Sequence, residues 1–162
     1  MQFLATIVLP FLAALASVAG TPLPSPIMGT INAPTASSAL VAENPFPFSY
    51  SVSNWCEEGY NSFSVFLTQG TSEPTFDDLD ASGNPTTAVF SFGQFTVANF
   101  GLPQSGTPPP TELTMPVVST ISEASDDSGS FLTVVQNFRG CPGGVVQELG
   151  VASIPFVYDT TA

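Results

Sequence analysis

Apolar and polar positions alternate with a period of two along most of this chain, and no stretch carries the periodicity and caps of an amphipathic helix. The clearest run is 130–138, with Phe131, Thr133 and Val135 on one face and Leu132, Val134 and Gln136 on the other. Residues 62–68 place Phe63, Val65 and Leu67 together, and 46–52 do the same for Phe46, Phe48, Tyr50 and Val52. Residues 87–97 predict a strand with Ala88, Phe90 and Phe92 on one face and Gly93 as the place for a bulge. Shorter strands are expected at 27–32, closed by Ala33-Pro34, at the edge segment 39–42, and at 112–115, ended by Pro116. Residues 145–151 pair back on 130–138 as a hairpin, and Ile154, Phe156 and Tyr158 finish the chain, with Pro155 at an edge or bend. Pro47 lacks a ladder donor, so its side of the strand is expected to be unpaired.

Polar connections separate these runs: 69–85 with Asp77, Asp78 and Asp80, the proline-rich crossover 102–111, and a loop holding Asp126 and Asp127. Seven or eight short strands with turn signals between them predict an all-β domain, an immunoglobulin-like β-sandwich, with a jelly roll or small barrel as the alternative. Cys56 and Cys141 sharpen the choice. With 46–52 as the second strand of such a sandwich and 130–138 as its sixth, both cysteines follow strand ends at one pole and can meet there as a disulfide. Free or intermolecular thiols are the alternative.

The first residues predict something other than fold. An apolar run over 4–15, followed by Ser17-Val18-Ala19, has the form of a secretory signal peptide, although the usual basic start is missing. Pro10 and the shortness of the run argue against a membrane anchor. Residues 1–19 are therefore expected to be removed, leaving 20–162 as one extracellular domain. The C-terminal residues carry no apolar tail of the kind a glycolipid anchor needs.

Composition excludes more than it assigns. The chain has no histidine, and its single basic residue, Arg139, faces thirteen acids for a formal net charge of −12. Ser-His-Asp and Cys-His nucleophiles, histidine metal sites, lysine Schiff bases and the P-loop lysine are all unavailable. An acidic chain is repelled by nucleic acid and by anionic membranes, so neither is an expected partner, and a monomer is expected.

Three constellations remain. Carboxylate pairs are the only acid–base machinery, and Glu57-Glu58 and Glu148 are the acids weighed for a glycoside hydrolase, which needs two carboxyls across a cleft. Asp77, Asp78, Asp80, Asp126 and Asp127 are candidate ligands for calcium, the one cofactor such acids suit, against the plainer expectation of two solvated acidic loops. Trp55, Tyr60 and Phe66 are candidate sugar-stacking aromatics. For Trp55 the competing place is over the disulfide, and for Phe66 it is a second layer of core.

Ile31 and Pro34, then Pro45-Phe46-Pro47-Phe48-Ser49-Tyr50, then Leu113-Thr114-Met115-Pro116 resemble a set of small secreted proteins of mushroom-forming fungi. More distantly, a first strand ended by proline and then a long extended strand is similar to the immunoglobulin-like domain of fungal cell-wall glucan-assembly and Ser/Thr-rich wall proteins. The resemblance implies a non-enzymatic extracellular or wall-associated protein and brings no catalytic residues. A wall polysaccharide or an extracellular protein is the expected partner, and a carboxylate-dependent hydrolase is the competing expectation.

Overall fold

A computed structural model describes residues 21–117, 129–141 and 147–159. The expected signal peptide, Asp126, Asp127 and the start of the 145–151 hairpin arm lie outside them. The described residues form ten strands: β1 Leu23–Pro24, β2 Thr30–Ala33, β3 Ala39–Val41, β4 Pro45–Pro47, β5 Ser49–Ser51, β6 Tyr60–Gly70, β7 Ala88–Ala98, β8 Glu112–Thr114, β9 Gly129–Phe138 and β10 Glu148–Asp159. The one helical element among the described residues is a 3-10 turn at Phe76–Asp78.

The main sheet runs β1-β10-β9-β6-β7, with β3 also pairing β10. Neighbours among β10, β9, β6 and β7 are antiparallel, whereas β1 and β3 both run parallel to β10. The smaller layer consists of β2 with β5 and β4 with β8. β4 and β5 are two halves of one extended run that changes partner at Phe48, whose N–H donates to the Thr111 carbonyl at 2.9 Å. Because bonding direction alternates along a strand, Pro47 turns its missing N–H away from β8. The two edges of the main sheet do not pair with each other, so the fold is a β-sandwich and not a barrel.

The core between the layers follows from the alternation. Phe46, Phe48 and Tyr50 from one side meet Phe63, Val65, Leu67, Leu132, Val134 and Phe156 from the other. The rings of Tyr50 and Phe63 lie 4.8 Å apart, and those of Phe63 and Phe95 lie 5.7 Å apart. Gln136 crosses this core. It is fully buried, accepts from the Tyr50 hydroxyl at 3.0 Å and the Ser53 N–H at 3.1 Å, and donates to the Ser53 carbonyl at 2.6 Å.

β7 departs from its expected phase. The register against β6 slips between Val65 and Phe66 and again between Leu67 and Thr68, and Gly93 occupies the bulge at φ 119°. Phe92 consequently packs into the core and sits edge-on to Phe46, while Phe90 is 40% exposed. Ala88 pairs with Thr68 on the outer face, whereas Phe90 pairs with the core residue Leu67 and rests edge-on against Phe92, so the exposure of Phe90 comes from its place on the sheet's edge strand. Pro155 lies inside a continuous twelve-residue strand, not at a bend. Its carbonyl accepts from the Ser37 N–H at 2.7 Å on the side away from β9, so its nitrogen removes no bond from the β9–β10 ladder.

The outer face of the main sheet is half roofed. Residues 71–87 fold back so that Phe76 and Leu79 cover Phe66, Val135, Leu149 and Val151, a second apolar cluster. Under the same face, Thr68, Thr133 and Ser153 join hydroxyls at 2.8 and 3.0 Å, which satisfies their buried oxygens.

Candidate functional site

Cys56 and Cys141 form the expected disulfide, with their Cα atoms 4.3 Å apart. The buried side chain packed with this pair is Phe138, fully buried, and Trp55 stands 38% exposed beside it. Glu58 draws the same two loops together. Its Oε1 accepts from the backbone N–H groups of Arg139 at 2.6 Å and Gly140 at 2.8 Å, and its Oε2 accepts from Asn61 Nδ2 at 3.3 Å. Asn99 adds to this knot by donating to the Glu58 carbonyl at 2.8 Å and to Asn61 Oδ1 at 2.6 Å. The Glu58 carboxylate thus serves as a loop clamp. Glu57 is exposed, and Glu148 lies at the start of β10.

Next to this clamp, the unroofed half of the outer sheet face forms an open polar groove of about 340 Å3, lined by Glu58, Tyr60, Ser62, Gln94, Thr96, Asn137 and Arg139. Strand register explains the set. Asn137, Ser62 and Thr96 are direct neighbours across β9, β6 and β7, and Ser64 pairs with Gln94 one row further on. Continuing the same rows onto β10, Asn137 pairs with Leu149 and Val135 with Val151, and there the surface turns apolar beneath the roof. Three strands at the usual spacing make the groove about 10 Å across.

Tyr60 bounds one end of the groove. Its ring is 40% exposed, and its hydroxyl donates to the Pro103 carbonyl at 3.1 Å, which fixes the ring against the crossover. Gln104 Nε2 binds the Thr96 carbonyl at 2.8 Å, and the Thr96 N–H donates to Thr107 at 2.8 Å, so the same crossover supports the β7 wall. Asn137 Oδ1 is buried and has no hydrogen-bond partner among the described residues. Amide, hydroxyl and one aromatic face, on rigid strands and without a hydrophobic pit, suit a ligand rich in hydroxyl groups.

Of the predicted sugar-stacking aromatics, Tyr60 lines this groove, Trp55 is exposed near the disulfide, and Phe66 takes the inner of its two expected places. At 5% exposure under the roof, Phe66 offers no ring face to a ligand. The acids of the roof serve the loop itself. Asp78 Oδ2 accepts from the Thr75 N–H at 2.7 Å and its hydroxyl at 2.9 Å, and Asp80 Oδ1 accepts from the N–H groups of Ser82 at 2.8 Å and Asn84 at 2.9 Å. These bonds, led by the Thr75 and Asn84 backbone N–H groups respectively, hold both carboxyls below their ordinary range. Asp77 is exposed, and among the described residues no three potential ligands gather into a metal-holding group.

Ser62, Gln94, Thr96, Asn137 and Arg139 were not anticipated as a site. Each is an ordinary polar position on a half-exposed strand, and only the pairing of three strands brings them together. No family model, curated protein or solved structure matches the chain.

Proposed function

We propose that this chain is a secreted, non-enzymatic binding module of the fungal extracellular space or cell wall, and that the open groove beside the disulfide takes a glycan. The observation that carries the reading is the row Asn137–Ser62–Thr96, flanked by Gln94 and the exposed ring of Tyr60. Sugar hydroxyls need donors and acceptors held in fixed positions, and the pyranose ring needs a flat apolar face; this groove presents both on rigid strands. The disulfide and the −12 charge favour an extracellular home. The parallel pairing of β1 and β3 with β10, together with loops tied at one pole, supports an immunoglobulin-like form of the sandwich.

Retention on insoluble β-glucan, chitin and cellulose tests the reading, with Tyr60→Ala, Asn137→Ala and Trp55→Ala compared at matched stability. Tyr60→Ala and Asn137→Ala are each expected to weaken retention roughly tenfold, which corresponds to about 1.4 kcal/mol. Trp55→Ala, outside the groove, is expected to change it little. Absence of retention on all three polymers, or equal retention by the groove variants, removes the glycan reading.

A further inference from the structure

The edge of the main sheet formed by β10 is covered twice and left open between. β1 pairs Glu148 and Leu149, and β3 pairs Val157 to Asp159. Between them the chain departs: after Ser25, whose hydroxyl takes the Ile27 N–H at 3.4 Å, it crosses to the other layer as β2 and returns at Ser37. The bonds on this edge fall on odd-numbered residues, since the carbonyls of Leu149, Pro155 and Asp159 accept from Ser25, Ser37 and Ala42 at 2.9, 2.7 and 3.0 Å. Residues of an antiparallel ladder bond alternately to one side and the other, so Val151 and Ser153 also direct both N–H and C=O away from β9. Among the described residues these four groups have no backbone partner. They face a cleft of about 330 Å3 walled by Gly29, Thr30 and Ile31 from the smaller layer and by Glu73, Pro74 and Thr75 from the roof.

We propose that this gap is a strand-addition site for an extended peptide of a partner protein bearing a basic side chain. Two donors and two acceptors alternating along a strand are matched by another extended backbone, which continues the parallel line that β1 and β3 begin and end. The walls on both faces supply contacts for its alternating side chains. Glu73 in the wall, on a chain of net charge −12, selects a cation over an anion at that position. This site is separate from the groove, and it stands or falls independently of glycan binding.

Amide hydrogen exchange of the whole protein, read residue by residue, tests it. In the free protein the N–H groups of Gly150, Ala152 and Ile154, which face β9, are expected to be protected, and those of Val151 and Ser153 to exchange quickly. A capped peptide alternating valine and threonine with one central lysine, added at about 1 mM, is expected to slow Val151 and Ser153 roughly tenfold when its concentration is ten times Kd. The same peptide N-methylated at alternate residues, or with glutamate for lysine, is expected to have little effect. Ser153→Pro removes one slot donor and no β9 bond, as Pro155 already does in the same phase, and is expected to abolish binding. Ser153→Ala, which loses only the hydroxyl bond to Thr133, is expected to retain it. Fast exchange unchanged by the peptide overturns the proposal. Protection already present in the free protein also overturns it, and its dependence on protein concentration separates a second copy from the chain's own residues as occupant.

Discussion

The Tyr50 hydroxyl donates to the buried Gln136 amide oxygen at 3.0 Å and accepts from the Gly29 N–H at 3.0 Å, so one phenol ties three separate segments across the sandwich. Gln136→Leu keeps the volume roughly constant but leaves Tyr50 and both backbone groups of Ser53 without their partner. We expect a loss of about 3 kcal/mol in urea unfolding, with the denaturant slope unchanged. Burial, partly offset by the Gly29 N–H, also pushes the Tyr50 phenol well above its ordinary value. A raised acid of this kind contributes stability that is fully present below the unfolded value of about 10 and is lost as pH rises beyond it. Alkaline unfolding followed by circular dichroism should therefore steepen above about pH 10 in the native protein. It should flatten in Tyr50→Phe, despite the lower stability of that variant at neutral pH.

Phe66 and Phe90 take opposite places: Phe66 is buried beneath the roof, and Phe90 is exposed at the sheet's edge. Phe66→Ala empties a site closed by Phe76, Leu79, Val135 and Leu149 and is expected to lose about 3 to 5 kcal/mol. Phe90→Ala removes a 40%-exposed ring whose described ring contact is with Phe92, and is expected to lose under about 1 kcal/mol. Thermal melts of the two variants side by side decide the matter, and similar losses would contradict the roofed face.

The clamp and the disulfide act on the same pair of loops. Replacing Cys56 and Cys141 by serine opens a link between residues 85 apart and is expected to remove about 4.5 kcal/mol. Glu58→Ala in the oxidised protein is expected to lose about 2 kcal/mol, because two backbone donors lose a charged acceptor. The combined variant should depart from additivity, since loops freed of the covalent link no longer hold Glu58 against Arg139 and Gly140. A denaturant-unfolding cycle over the four proteins measures that departure.

Asp78 and Asp80 give the roof its acid sensitivity. Their lowered carboxyls contribute stability that is present above the unfolded value of about 3.9 and is lost as pH falls through the lower folded values. The protection factors of the Ser82 and Asn84 amides, that is their exchange relative to the intrinsic rate at each pH, are therefore expected to fall below about pH 4, and Asp80→Asn should bring the same loosening to neutral pH. Because both carboxylates already serve loop donors, millimolar calcium is expected to leave the melting temperature unchanged. A rise with calcium would restore the acidic loops as a metal site.

Much of the sandwich was legible because alternation was strong where both sheet faces are buried, as at Phe131 to Val135 and Phe63 to Leu67. The cysteine pair was legible because strand order alone put both loops at one pole. Phe66 was ambiguous, since what buries it is a polar loop with Phe76 and Leu79 inside it, and such a fold-back leaves no periodic trace. Phe90 does share its face with Phe92, but it is exposed because β7 is the edge of the sheet, and the second bulge carries only Ala88 off that face. Gly93 announced one bulge but not its effect on neighbouring rings. The groove was illegible: Ser62, Thr96 and Asn137 belong to strands far apart in sequence, and each alone resembles a solvated position.

The parallel contact of β1 and β3 with β10 also fixes how this domain carries load. The early strands and the last strand point the same way, so tension drawn along the chain from both sides slides them past one another. Their hydrogen bonds are then strained together, in shear, and not opened one after another as in a zipper. A domain built this way yields late when it is pulled along these strands.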